Sequence, residues 1–134
     1  MEANTILTGR LEMLDEQLQE LEQVVSAETP PPLEDILPRA QAVVAGLLNA
    51  YAGHCGKPSC DSDDLLAVFK AFVKGDPSLN TVRDNVRELV YYRNCLQLGR
   101  ADALPRAPAR MAVRTARHIY LYLRSRCEQE GRLD

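Results

Sequence analysis

Leu7, Leu11, Leu14, Leu18, Leu21 and Val25 follow one another at intervals of 4, 3, 4, 3 and 4 residues. A strand cannot use this pattern, because its side chains change face at every residue, whereas a helix gathers all six on one side. The intervening residues are mostly Glu, Gln and Asp, no proline interrupts them, and the only glycine, Gly9, lies near the start. The spacing predicts a helix over residues 5–27, with Leu7, Leu14 and Leu21 at heptad position d and Leu11, Leu18 and Val25 at a. The flanks are polar apart from Val24: Thr8, Asp15 and Glu22 at e, Arg10, Gln17 and Val24 at g. A helix in a globular core usually adds apolar residues at e or g, so a stripe confined to a and d is expected to be a coiled-coil seam. The partner helix would come from a second copy or from another protein. On that expectation Leu14→Glu or Leu18→Glu changes association, whereas loss of the fold in both would assign the stripe to the chain's own core.

Pro30-Pro31-Pro32 ends the first helix, because three consecutive residues lack an N–H and each pushes its predecessor toward extended geometry. The triplet divides the chain into a heptad helix at 1–29 and a helical bundle at 30–134, with the first helix either part of one compact domain or partly separate. A second helix is predicted from Leu37, Ala40, Val44, Leu47, Leu48 and Tyr51, with Asp35 as N-cap and Pro38 tolerated at the third helical position. Residues 53–62 form a loop. A short third helix runs over about 63–74, capped by Ser62 and ended by Gly75. Asp76-Pro77 opens a fourth, which Gly99 closes, and a fifth spans about 108–130 with Ala112, Ala116, Ile119, Leu123 and Cys127 inward. No stretch of four or more residues alternates like a strand. A 134-residue chain that is 46% hydrophobic can bury a core, so the fold class is all-α: a single-domain bundle of about five helices.

The net charge of −3 hides an asymmetry. Residues 1–37 carry nine acids and one arginine, whereas residues 83–134 carry eleven arginines and six acids. An acidic head and a basic tail are expected to meet, within one chain or between two. Arg110, Arg114 and Arg117 lie at i, i+4 and i+7 of the last helix, and Arg124 continues the row. With Tyr120 and Tyr122 between them, these side chains suit an electrostatic protein surface, or, as the alternative, phosphate contacts and base stacking in a nucleic-acid-binding protein. If the stripe serves association, changing Arg110, Arg114 and Arg117 together to Gln should weaken partner binding and leave the melting temperature within a few degrees.

The remaining chemistry is sparse. Cys55 and Cys60 with His54 could supply part of a zinc site, but no second close pair completes a tetrahedron, so a thiol or zinc protein is the least favoured reading. His118 stands mid-helix between arginines and aromatics, and adjacent His54 and Cys55 side chains diverge, which leaves no nucleophile–base pair. Phosphate-binding glycine loops are absent. The N-terminal residues do not read as a secretory signal, and the apolar run from Ala40 to Tyr51 is too short for a bilayer. Four cysteines without such a signal suggest reduced thiols in an intracellular, soluble protein, in the cytoplasm or nucleus. These readings converge on a non-enzymatic protein–protein interaction subunit, adaptor or assembly factor, without cofactor or metal. It would act through Leu7, Leu11, Leu14, Leu18, Leu21 and Val25 and through Arg110, Arg114, Arg117 and Arg124.

Overall fold

The computed structural model describes residues 2–134, and these form five α-helices with no strand among them: α1 (Glu2–Val25), α2 (Leu33–His54), α3 (Leu65–Val73), α4 (Arg83–Gln97) and α5 (Pro108–Gln129). They pack as one bundle in which α2 is central, touching α1, α3, α4 and α5. Its place follows from its sequence. Residues 40–53 carry no charged side chain, and Val43, Val44, Leu47 and Leu48 are all buried.

The heptad stripe lies inside this bundle. Leu7, Leu11, Leu14, Leu18, Leu21 and Val25 are all buried among core residues of the same chain, and α1 packs against α2 and α5. The expected intermolecular seam is therefore corrected: its six residues are spent on the intramolecular core and offer no apolar surface to a partner. Gly46 allows α1 and α2 to close up. A Cβ there would stand 3.0 Å from Leu14 Cδ2, so a larger residue would require the leucine side chain to give way by a few tenths of an ångström.

Three local boundaries also differ from expectation. Helix α2 begins at Leu33 with Pro32 in extended geometry at its N-cap, and Asp35 lies inside the first turn. Pro38 is thus the sixth helical residue rather than the third. The carbonyl of Glu34 loses its helical donor there, at an exposed position where water can replace it. Helix α3 is capped by Asp64, which accepts from the Leu66 amide at 3.0 Å, while Ser62 Oγ accepts from the Asp64 amide. Asp76 does cap the next segment, accepting from the Ser78 amide at 3.2 Å, but Pro77–Val82 is a tighter 3₁₀ turn and α4 starts only at Arg83. Among the described residues no helix is long and apolar enough to cross a membrane.

Candidate functional site

The acidic head and basic tail meet within the chain. Arg117 on α5 reaches across to α1, where Nη1 donates to Asp15 Oδ1 at 2.6 Å, and Nε and Nη2 donate to the two Glu22 carboxylate oxygens at 3.0 and 2.7 Å. Hydrogen bonds from the guanidinium to Glu22, more than those to Asp15, push the Arg117 pKa up against the opposing effect of burial. Arg110 donates from Nε to the Val25 carbonyl at 2.8 Å and from Nη2 to the Ala27 carbonyl at 3.1 Å. It thereby satisfies carbonyls at the C-terminal end of α1, where a cation also complements the helix dipole. Arg124 binds Tyr120 and Glu128 on its own helix. Only Arg114, of the four arginines in the row, is exposed with no partner among the described residues. The arginine stripe is thus largely an internal fastening, and the four do not act as one open surface.

A second polar cluster closes the end of the bundle where α2 and α5 finish. Glu130 accepts from the Tyr51 hydroxyl at 2.6 Å, from Arg132 Nε at 2.7 Å and from Arg126 Nε at 3.1 Å. Arg126 also donates to Asp76 Oδ2 at 2.9 Å, drawing in the turn before α4. Arg132 Nη1 lies 2.9 Å from His54 Nδ1, and a guanidinium can only donate. His54 therefore carries its proton on Nε2 and gives it to Asn4 Oδ1 at 2.8 Å. Nothing in the sequence marked this cluster, because its members are scattered over some 130 positions and only packing assembles them.

Burial pushes the Glu130 carboxyl up, but the hydrogen bonds from Tyr51, Arg132 and Arg126 outweigh it and hold the group at about 2, against a usual 4.5. A depressed folded-state value stabilises the fold above the unfolded pKa and loses that contribution as pH falls. The wild-type protein is accordingly expected to lose about 1–2 kcal/mol through this group between pH 4.5 and 2, after allowing for partial solvent screening. Urea unfolding of wild type and Glu130→Gln checks it: the stability gap between them should narrow as pH is lowered through that window. A gap constant with pH would contradict the assignment.

The cysteines do not converge. Asn49 on α2 pins the loop by pairing with the Cys60 backbone, donating to its carbonyl and accepting from its amide, both at 3.0 Å. Cys55 is exposed, Cys60 half-buried, Cys95 and Cys127 buried, and all four are free. Burial pushes the Cys127 thiol up to about 11, the opposite of what a reactive thiolate requires. Among the described residues no group of three or more His, Cys, Asp or Glu side chains is placed to hold a metal ion.

An open trough follows α2. A cleft of about 720 Å³ lies between α2, the loop at 60–63 and α4. Its floor is the outward face of α2: Pro38, Ala42, Ala45, Gly46 and Asn49, all exposed or half-buried. Leu96 of α4 and Leu65 of α3 stand in the opposite wall, and Glu34, Asp61, Asp63 and Arg93 form the rim. The wall is braced by Gln41 Nε2 donating to the Leu89 carbonyl at 3.2 Å and Arg93 Nη1 donating to the Asp63 carbonyl at 3.2 Å. A smaller hollow of about 260 Å³ continues the trough along Asn49 and Gly53, walled by Ile6 and Arg10 of α1. Comparison of the chain with protein-family models, with curated proteins and with solved structures returns no match.

Proposed function

We propose that this chain is a non-enzymatic protein–protein interaction subunit, an adaptor or assembly factor, that works by presenting the outward face of α2. One observation carries the reading. A helix at a protein surface normally turns charged residues to water, and one uncharged on every side is normally covered. Helix α2 has no charged residue from Ala40 to Gly53, yet Ala42 and Gly53 are exposed and Ala45, Gly46 and Asn49 are only half-buried. From Pro38 to Gly53 the face runs about 22 Å along the helix axis, four turns' worth of docking surface. The ionisable groups around it stand on the rim and not in a closed pocket, which favours binding over catalysis. Free thiols, Cys55 exposed among them, suit a reducing intracellular setting. The nucleic-acid reading loses support, since Arg110 and Arg117 are already engaged with α1.

Ala42→Arg/Ala45→Arg tests the proposal. Arginine propagates helix nearly as well as alanine, and both positions are at least partly open, so the melting temperature should stay within about 3 °C. A protein that co-purifies stoichiometrically with wild type should be lost from this variant. Equal retention by both forms contradicts the reading.

A further inference from the structure

The geometry points to a specific occupant for this trough: a basic amphipathic α-helix of a partner protein. The inference rests on the interaction reading above and adds the chemistry of the partner.

The floor argues for a helix over an extended segment. An extended peptide gains affinity by pairing with an open sheet edge, and the floor here is itself a helix, which offers no such edge. Pro38, Ala42, Ala45, Asn49 and Gly53 recur at intervals of 4, 3, 4 and 4 residues, one continuous stripe of short side chains. Short side chains let a second helix axis approach to the close end of the usual range, about 8 Å. The asparagine does not compete for the ligand, because both ends of its amide are engaged by Cys60. Apolar side chains line the edges: Leu96 on one side and, on the other, Ile6, which is 57% exposed. Met13, 50% exposed, lies two helical turns beyond Ile6 on the same side of α1. A partner helix with a stripe of medium-sized apolar residues would cover these groups.

The rim argues for positive charge. Glu34, Asp61 and Asp63 line the larger cleft, and none makes an ion pair among the described residues. Two cations line the trough: Arg93 in the larger cleft, its guanidinium turned to the Asp63 carbonyl, and Arg10, which walls the smaller hollow and not the larger cleft where the three carboxylates stand. Lysines or arginines along one flank of the incoming helix would meet three free carboxylates, whereas a phosphate backbone or an acidic helix would be repelled by them.

Three labelled 16-residue peptides share one apolar Leu/Ala face and differ only in carrying Lys, Gln or Glu on the flanks. Fluorescence anisotropy measures their binding to wild type, to Ala42→Arg/Ala45→Arg and to Asp61→Asn/Asp63→Asn. The Lys peptide should bind wild type in the micromolar range and the Glu peptide at least about tenfold more weakly. The Lys peptide should lose about tenfold or more on Ala42→Arg/Ala45→Arg and about three- to tenfold on Asp61→Asn/Asp63→Asn, and should weaken as salt is raised. If the Gln peptide binds as well as the Lys peptide, and both are lost on Ala42→Arg/Ala45→Arg, the docking trough stands but the basic partner is refuted. Binding by none of the three refutes both. Light scattering closes the other route: a wild-type dimer that Ala42→Arg/Ala45→Arg converts to monomer would assign the trough to a second copy and overturn the proposal.

Discussion

Leu18→Glu is expected to unfold the whole domain and not merely to detach an N-terminal helix, because Leu18 is 0% exposed and sits in the core shared by α1, α2 and α5. Truncation alone, Leu18→Ala, should cost about 2–5 kcal/mol through lost burial and a residual cavity. A carboxylate there must instead be buried without a partner or expelled with its helix, at a cost of several kcal/mol more. Set against a total stability of about 5–15 kcal/mol, that leaves little or no folded protein. Circular dichroism and thermal melting should show loss of helicity and of a cooperative transition, with Leu14→Glu behaving alike. A well-folded Leu18→Glu protein with an altered molar mass would instead restore the intermolecular seam.

Arg117→Met should lower stability by about 1–3 kcal/mol, the range for charge-assisted hydrogen bonds in a partly buried setting. The change removes three hydrogen bonds and leaves Asp15 and Glu22 facing α5 without their cation. The Arg117 side chain is 17% exposed and Glu22 41%, so solvent screening keeps the effect below that of a fully buried pair. For a chain of this length the loss corresponds to roughly 3–5 °C in melting temperature per kcal/mol. Adding Asp15→Asn and Glu22→Gln to Arg117→Met should recover part of the loss, since it removes the unpaired charges. A shift below about 1 °C in Arg117→Met would show that the fork contributes nothing net. The triple change of Arg110, Arg114 and Arg117 to Gln should likewise lower the melting temperature by more than a few degrees. Two of the three fasten α5 to α1, contrary to the expectation that all three serve association.

The helices themselves were legible because local periodicity reports local structure. The stripes of α1 and α5 and the Asp76-Pro77 start signal lie within a few residues of what they determine. Even the boundary errors are local: Pro32 rather than Asp35 begins α2, and Asp64 rather than Ser62 caps α3, where several capping residues stand side by side and packing chooses between them. The Glu130 cluster and the α2 trough were not legible, since each depends on side chains from at least three helices.

The sequence by itself determined that the chain is all-helical, which faces of α1 and α5 are apolar, and that acidic and basic halves would attract one another. Only the tertiary structure decided where those faces point. The e positions of α1 looked like solvent positions because Asp15 and Glu22 are charged, yet they face α5, and Arg117 meets them there. Contact between the two helices continues beyond the apolar stripe as ion pairs, so a narrow hydrophobic stripe did not mean a narrow interface. The same ambiguity hid the trough. A run of small uncharged residues marks equally a helix buried on all sides and one left open on a single side, and which it is depends on how many neighbours surround it.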